Sequence, residues 1–296
     1  MAKIITVGRM IKFSHSIFAL PFALIGLFLA AQSIGQKFPP FGLVLLWLAC
    51  MVAARSAAMA FNRIVDHKFD IRNPRTANRE LPAGKLTPEF AKRFLFCCAA
   101  IFVVATGMFW AMYKNPWPMV FALPLLLFIC GYSYAKRFTV LSHFWLGASL
   151  GLAPVASWVA VSPPAGSVIG WPVVILGLAV TLWTAGFDII YSLADIDFDR
   201  KTGLRSIPAK LGQEGALKVS RVCHLGTVIF LAMLMLVLGK LYIVGLILAA
   251  VILAYEHVLI DRDLKYLNAS FFTLNGVFSI LFALFAIIDI LRMGTL

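Results

Sequence analysis

Nine apolar segments, each long enough to cross a lipid bilayer, account for most of the chain. A helix of about 20 apolar residues spans the hydrocarbon core, because each residue rises about 1.5 Å. The segments are residues 15–33, 41–61, 94–113, 117–134, 141–161, 168–190, 222–239, 241–260 and 270–291. A composition of 61% hydrophobic and 13% charged residues excludes an ordinary soluble enzyme, a disordered chain and a secreted disulfide scaffold. We therefore expect an all-α, polytopic membrane bundle of about nine transmembrane helices, with residues 1–296 as a single domain.

The positive charges lie mostly on one side of this predicted bundle. With nine spans, the N-terminus and the connections after the second, fourth, sixth and eighth spans share a side, and they carry most of the Lys and Arg residues. An excess of Lys and Arg marks the cytoplasmic face. Membrane topology thus explains the net charge of +13, and we expect no nucleic-acid partner. The sequence predicts a multi-pass protein of the bacterial inner membrane with a polar cap on the cytoplasmic side.

Two of the predicted cytoplasmic loops, residues 62–93 and 191–221, are long, polar and similar to each other. Each begins with polar residues spaced four apart: Asn62, Asp66 and Asp70 in the first loop, and Tyr191, Asp195 and Asp199 in the second. An Arg-x-[Leu/Ile]-Pro-Ala element follows in each loop, at residues 79–83 and 205–209. This internal repeat predicts a bundle of two pseudo-repeat halves that present similar polar sites.

The spacing of the acidic residues points to a metal-bound diphosphate. Residues four apart share one face of a helix, so each acidic row forms a stripe of oxygen ligands at the end of a span. A carboxylate costs about 2.5–3.5 kcal/mol at the membrane centre, so carboxylates close to the membrane require cations. Oxygen-only ligands suit Mg²⁺, which completes its shell with water and phosphate oxygens. The alternative is that these acids only form ion pairs with nearby Lys and Arg residues on a solvated loop.

Three sequence elements carry a resemblance to a known family. The run Asn-Arg-Ile-Val-Asp-His-Lys-Phe-Asp at residues 62–70, followed by residues 75–84, resembles the first signature of the UbiA-type intramembrane prenyltransferases. Residues 186–199 resemble the second signature, and residues 132–139 resemble a further element of that family. Within the family the chain is most similar to the 4-hydroxybenzoate polyprenyltransferases. It departs from the family pattern at Arg63, where many members carry Asp.

The acidic pattern and the resemblance together give a set of candidate site residues. We expect five side chains to bind Mg²⁺ and diphosphate: Asn62, Asp66, Asp70, Asp195 and Asp199. We expect the side chains that contact diphosphate, prenyl group or acceptor to be Arg55, Arg79, Tyr132, Lys136, Arg137, Tyr191, Arg205 and Lys210. Asp188 is expected to be a catalytic cavity residue, because it lies seven residues before Asp195 inside an apolar span.

Two of these assignments have structural alternatives. Arg55 could hold an acceptor carboxylate or a phosphate, or it could form a buried ion pair with Asp188. Tyr132 and Lys136 also fit the common pattern of an interfacial aromatic residue followed by a positive charge on the inside. Two further carboxylates inside predicted spans, Glu256 and Asp289, have no partner that the sequence identifies.

The resemblance implies transfer of a polyprenyl group to an aromatic ring. The expected donor is a polyprenyl diphosphate, and the expected acceptor is 4-hydroxybenzoate, which is prenylated ortho to its hydroxyl in quinone biosynthesis. Other acceptors remain open at this point: a hydroxynaphthoate, homogentisate, a porphyrin or a glyceryl phosphate lipid. A membrane transporter is a third possibility, although the acidic rows lie at one membrane face rather than at the midplane.

Overall fold

The computed structural model describes residues 2–162 and 170–293 and shows a helical protein throughout these ranges. The helices are α1 (Ala2–Met10), α2 (Ser16–Ser33), α3 (Phe41–Asp70), α4 (Pro88–Tyr113), α5 (Trp117–Gly131), α6 (Ser142–Val161), α7 (Trp171–Tyr191), α8 (Ile196–Thr202), α9 (Ile207–Met233), α10 (Lys240–Arg262) and α11 (Asn275–Met293). Short 3₁₀ segments follow α5 and α7, and a π-helix (Ala269–Leu274) precedes α11. In the described part of the chain, nine helices are long and apolar enough to cross a membrane, which confirms the predicted fold class.

Three helices extend beyond the apolar segments from which they were predicted. Helix α3 continues to Asp70, while α4 and α9 begin at Pro88 and Ile207. Thr87 is the N-cap of α4, where its hydroxyl accepts a hydrogen bond from the Phe90 amide at 3.2 Å. Ser206 is the N-cap of α9, where its hydroxyl accepts one from the Ala209 amide at 3.2 Å. Each N-cap is followed by a proline in the first turn, where a missing amide hydrogen costs nothing. The capping residues therefore place the starts of α4 and α9 in polar sequence, which a search for apolar segments does not identify as helical.

Helix α9 contains a break within its polar first part. Gly212 has φ of 70° and ψ of −177°, which is outside the helical region and in the half of φ space that favours glycine. The polar loop expected at residues 191–221 is divided among a 3₁₀ turn, α8 and the polar first part of α9, residues 207–221.

The chain divides into two compact units. The first comprises Met1–Ser16 and Phe41–Tyr134, and the second comprises Ile17–Pro40 and Ala135–Leu296. In the first unit, Met10 and Ile11 pack with Ala60 of α3 and with Leu81 and Leu86 of the loop before α4. The sequence reasoning did not predict α1, whose residues carry no membrane-length apolar run.

The second unit is held by close helix packing and by an aromatic core. A Cβ added at Gly147 or Gly151 of α6 would collide with the backbone of α7 at Thr181 or Gly177, so the two helices approach at backbone distance. Aromatic rings fill the unit elsewhere: Phe22 and Trp183 have centroids 5.1 Å apart, and Trp183 stacks on Phe278 at 4.9 Å.

Asp289, which had no evident partner in the sequence, caps the start of α10. Its buried carboxylate accepts hydrogen bonds from the backbone amide of Gly239 and from that of Leu241, the latter at 3.1 Å. The first amides of a helix have no acceptor within the helix, and a carboxylate there also complements the helix dipole. Asp289 therefore has a structural role.

We expect Asp289→Ala to lower the free energy of unfolding by about 1–2 kcal/mol, as is typical when an N-terminal cap is lost. Asp289→Asn, which retains one acceptor oxygen, should lose less. Thermal unfolding of the purified variants in one detergent measures the difference. An unchanged midpoint for Asp289→Ala would show that water replaces the carboxylate at no cost.

Glu256 is the centre of a buried hydrogen-bond network that anchors the π-helix. Its Oε1 accepts from Ser270 Oγ at 2.6 Å and from Asn275 Nδ2 at 2.9 Å. Asn275 Oδ1 in turn accepts from Trp183 Nε1 at 2.7 Å. Ser270 lies within the π-helix and Asn275 directly follows it, so Glu256 fixes both ends of this segment against α10.

We expect Glu256→Leu to destabilise the protein by about 1–3 kcal/mol for each buried donor that loses its acceptor. Glu256→Gln keeps an amide oxygen for Ser270 and Asn275 and should retain most of the stability. Thermal midpoints of the two variants provide the comparison, and equal midpoints would contradict the assigned network.

Candidate active site

The first acidic row lies on one uninterrupted helix in the first unit. Because α3 runs from Phe41 to Asp70, Asn62, Asp66 and Asp70 share a face, as their spacing predicts. Asn62 Nδ2 donates to Asp66 Oδ2 at 2.8 Å and to Ser133 Oγ at 3.4 Å. These bonds hold Asn62 and Asp66, two of the predicted ligands, next to each other and fix the orientation of the amide.

Asp70, at the end of this row, is paired with Arg79. The buried carboxylate receives Arg79 Nη1 at 2.8 Å on Oδ1 and at 2.9 Å on Oδ2. The structure thus brings together a predicted metal ligand and a predicted diphosphate-binding cation. This contact is also what the ion-pair alternative predicts, and it holds Arg79 beside the acidic row in either case.

Arg63, the residue that departs from the family pattern, is buried, and its hydrogen bond gives it a structural role rather than a role in binding diphosphate. Its Nε donates to the carbonyl oxygen of Met10 at 3.1 Å. The guanidinium fixes the segment that joins α1 to the first span, so the residue has a structural contact that the sequence did not reveal.

Arg55 contacts the same segment and forms part of a cationic cluster. Its Nη2 donates to the carbonyl oxygen of Lys12 at 3.1 Å, and its Nε is buried with no hydrogen-bond partner among the described residues. Burial lowers the pKa of Lys12, and the nearby charges of Arg63 and Arg79 lower it further. Burial, together with Lys12, Arg55 and Arg63, lowers the pKa of His15 to about 4. Lys12, Arg55 and Arg63 thus concentrate positive charge beside a neutral His15, and this concentration of charge favours an anion.

Tyr132, also predicted as a substrate-binding residue, ends α5 in the first unit. The chain tightens into a 3₁₀ helix from Tyr132 to Arg137, and the Tyr132 side chain is half-buried. The i, i+4 spacing of Tyr132 and Lys136, which assumes an α-helix, therefore does not describe the local geometry.

The second acidic row, in the second unit, does not lie on one continuous helix. Helix α7 ends at Tyr191, a 3₁₀ turn covers Ser192–Asp195, and α8 carries Asp199. The Ser192 hydroxyl donates to the carbonyl oxygen of Ile189 at 3.0 Å, a local bond that competes with regular helix geometry. The spacing argument that placed Asp188, Asp195 and Asp199 on one face is therefore wrong in its geometry, although Asp195 and Asp199 are both buried.

Asp199 is paired with a cation, as Asp70 is. Lys136 Nζ lies 3.3 Å from Asp199 Oδ2. Arg205 holds the same region together: its amide donates to the Lys136 carbonyl oxygen at 2.6 Å and its Nη1 donates to the Phe138 carbonyl oxygen at 2.9 Å. Arg137 is exposed in this turn.

A cleft of about 390 Å³ opens beside Asp199. The predicted residues Arg205 and Lys210 line it, together with Arg200 and Ser206. Three cations around one buried carboxylate suit a phosphate group that reaches the carboxylate through a metal ion.

Asp188 has a partner that the sequence reasoning missed. His143, fully buried on α6, places its Nδ1 2.7 Å from Asp188 Oδ2. The His143 Nε2 accepts a hydrogen bond from the Ile207 amide at 3.4 Å. The only signal in the sequence is a single histidine in an otherwise apolar segment, which is too weak to identify this pair.

Tyr191 belongs to an aromatic cluster of the second unit. Its ring stacks on Phe271 of the π-helix, with centroids 4.0 Å apart. Phe271 also contacts Phe187 and Phe18, each at 5.4 Å. The rings present negatively polarised faces, which stabilise a nearby cation.

The donor chemistry of both rows fits Mg²⁺ bound with its substrate. In the part of the chain that the structure describes, no three His, Cys, Asp or Glu side chains converge on a metal position. Each row offers oxygen donors only, and Asn62 and Asp66 lie close enough to bind one ion. Such a partial set is what Mg²⁺ uses when phosphate oxygens and water complete its shell.

Comparison with known proteins places the chain in a family. The model of the UbiA prenyltransferase family matches residues 19–285. A protein named 4-hydroxybenzoate octaprenyltransferase from Tolumonas auensis is 32% identical over 83% of this chain and 83% of its own length. A protein of the same name from Methylococcus capsulatus is 30% identical over 84% of each chain.

Solved structures give the same answer. A UbiA homologue from Aeropyrum pernix K1 in its apo form is 33% identical, covers 93% of this chain and 98% of its own, and has a TM-score of 0.81. A UbiA homologue from Archaeoglobus fulgidus bound to GPP and Mg²⁺ shares the fold at a TM-score of 0.70, with 19% identity over 96% of this chain and 99% of its own. The chain is thus an integral, multi-pass membrane protein that belongs to the UbiA prenyltransferase family.

Proposed function

We propose that this protein is a Mg²⁺-dependent 4-hydroxybenzoate polyprenyltransferase of quinone biosynthesis. It joins a polyprenyl group to the ring carbon ortho to the hydroxyl and releases diphosphate. The observation that carries the proposal is that each of the two acidic rows has a buried aspartate beside a cation, Asp70 with Arg79 and Asp199 with Lys136. The relatives named 4-hydroxybenzoate octaprenyltransferase support the choice of acceptor.

The acidic rows and their cations would bind the diphosphate end of the donor. Asn62, Asp66, Asp70, Asp195 and Asp199 would hold Mg²⁺, and the structure of the Archaeoglobus homologue with GPP and Mg²⁺ supports this choice of metal. The ion would supply positive charge that stabilises the departing diphosphate. Four basic side chains would neutralise the remaining charge on the phosphate oxygens: Arg79, Lys136, Arg205 and Lys210. Arg137, exposed in the same turn as Lys136, adds positive charge nearby.

The cationic cluster around Arg55 would bind the carboxylate of the acceptor. Arg55 Nε is buried without a partner in the described ranges, and a buried guanidinium gains most from a charged acceptor of hydrogen bonds. Lys12 adds to the positive potential there, whereas His15, with its pKa lowered to about 4, is neutral near pH 7 and leaves that potential unchanged. The carboxylate of 4-hydroxybenzoate, para to its hydroxyl, would pair with these positive charges, which a neutral aromatic acceptor would leave without an anion.

The aromatic side chains would protect the allyl cation that forms when diphosphate leaves. Such a cation is consumed by water, so it requires a dry site with polarisable walls. Tyr191 stacked on Phe271 provides one such wall, and Tyr132 would provide another aromatic surface. Asp188 would face the acceptor ring.

The distribution of charge supports a cytoplasmic location for the polar cap. Lys and Arg concentrate at the ends of the helices that carry the acidic rows, which the positive-inside rule assigns to the cytoplasm. Bacterial relatives support an inner-membrane location. The family match spans residues of both compact units, which supports a single functional domain over residues 1–296.

Asp66→Ala and Asp195→Ala should each lower the rate of prenyl transfer by about 100-fold or more, because each removes charge that stabilises the leaving group. Purified protein, 4-hydroxybenzoate, a long-chain prenyl diphosphate and Mg²⁺ form the assay. Asp197→Ala is the matched control: it is exposed, lies two residues from Asp195 and should keep wild-type activity. Full activity of either row variant would refute the metal assignment.

Arg55→Met should raise the KM for 4-hydroxybenzoate by about 10- to 100-fold, which corresponds to losing a charged hydrogen bond worth about 1.5–3 kcal/mol. A 4-alkylphenol without a carboxylate is the internal control, since its weaker turnover should not depend on Arg55. Equal losses with both acceptors would indicate a general structural defect. Preference of the wild type for a hydroxynaphthoate over 4-hydroxybenzoate would instead contradict the proposed acceptor.

A further inference from the structure

Asp188 is the one accessible side chain in a buried stretch of α7. Residues 183–187, 189 and 190 are all buried, whereas 21% of the Asp188 side chain is exposed. A carboxylate exposed to lipid would cost about 2.5–3.5 kcal/mol at the membrane centre. Its exposure therefore favours a polar molecule, rather than an acyl chain, as its neighbour.

The hydrogen bonds of His143 determine which atom carries its proton. Since the Ile207 amide donates to Nε2, that nitrogen is the acceptor, and the neutral ring must carry its hydrogen on Nδ1. Nδ1 therefore donates to Asp188 Oδ2. The bond stabilises and orients the carboxylate and uses only one of its two oxygens, so Oδ1 projects from an otherwise fixed group.

Asp188 also lies close in the chain to Asp195 and Asp199, the residues of this unit proposed to hold the metal-bound diphosphate. Tyr191 lies three residues later on α7, on the same helix face and one turn nearer to Asp195 and Asp199. Ile207, which fixes His143, lies two residues after Arg205 in the cation-lined cleft. Asp188 thus lies on the helix that leads directly into the turn that carries Asp195 and into the helix that carries Asp199.

We propose that Asp188 is the general base that removes the ring proton, with His143 as its positioning residue; this inference rests on the proposed function. When the ring carbon ortho to the hydroxyl has bonded to the allyl carbon, that ring carbon still carries its hydrogen and the ring is cationic. The C–H bond breaks, its electron pair restores the aromatic ring, and the proton passes to Asp188 Oδ1. The product is the neutral carboxylic acid of Asp188 and the prenylated hydroxybenzoate.

Other groups in the second unit are less suited to this step. His143 is fully buried, so the substrate cannot reach it. Asp199 is paired with Lys136. The departing diphosphate is another candidate for the base, and the experiment below distinguishes it from Asp188.

The test compares cleavage of the C–H bond on the acceptor ring with loss of diphosphate from the prenyl donor. Asp188→Asn should lower formation of prenylated acid by about 100- to 10,000-fold, the usual contribution of a general base. It should also introduce a primary kinetic isotope effect with 4-hydroxybenzoate deuterated at both ortho positions, larger than that of the wild type. Diphosphate release, with prenyl alcohol as the product of water capture, should fall far less than product formation.

Two results would overturn the proposal. If Asp188→Asn shows the wild-type isotope effect, another base, such as diphosphate, removes the proton. If diphosphate release and product formation fall equally, Asp188 acts in ionisation or in folding. Should Asp188→Asn yield no measurable product, diphosphate release alone decides: continued release with prenyl alcohol supports the proposal, and loss of release overturns it.

His143 variants separate positioning from folding. His143→Gln can still accept from the Ile207 amide and donate to Asp188, so it should restore most of the rate that His143→Leu loses, with the loss in kcat rather than in KM. Equal activity of these two variants would contradict the positioning role. Asp289→Asn is the matched control, a buried aspartate in another span whose substitution should leave the isotope effect unchanged.

The outcome is distinguishable from failure of the proposed function. If the wild type does not prenylate 4-hydroxybenzoate, the acceptor assignment fails. If the wild type does so and Asp188→Asn does too, at an equal rate, only the assignment of the base fails.

Discussion

A charged group inside or beside a bilayer has to be matched by a partner, because hydrocarbon offers neither water nor counterions. This constraint orders the whole molecule. Asp70 pairs with Arg79, Asp199 pairs with Lys136, and Asp188 pairs with His143. Backbone amides match Asp289, and neutral side chains match Glu256. Carboxylates with cationic partners lie at the ends of spans, where a phosphorylated substrate can exchange with those partners, whereas Glu256 and Asp289 serve the fold.

The exchange of a cationic partner for a phosphorylated substrate links the stability of the protein to its chemistry. The ion pairs that make buried aspartates tolerable employ the same Lys and Arg side chains that a diphosphate requires. A metal-bound diphosphate would offer each carboxylate a cation and each basic side chain an anion in place of its present partner. A membrane enzyme that handles a highly charged group and a long apolar chain benefits from such preformed, interchangeable charges.

The sequence predicted features that depend on periodicity and composition. The nine spans and the continuous stripe from Asn62 to Asp70 followed from apolar length and four-residue spacing. Features that depend on tertiary contacts were missed or wrong. The turn at Ser192 breaks the second row, and nothing in the spacing of residues 188–199 shows that break. His143 and Arg63 acquire their roles only through residues 45 and 53 positions away in the chain, Asp188 and Met10.

The glycines of α6 determine how closely the helix that carries His143 packs against the helix that carries Asp188. His143, Gly147 and Gly151 recur every fourth residue, so the imidazole projects from the same stripe that meets α7 without intervening side chains. Backbone contact leaves almost no slack between the two helices. The orientation of the Asp188 carboxylate therefore depends on the spacing of the two main chains, and even one methyl group added at Gly147 or Gly151 would force α6 and α7 apart and shift His143 relative to Asp188.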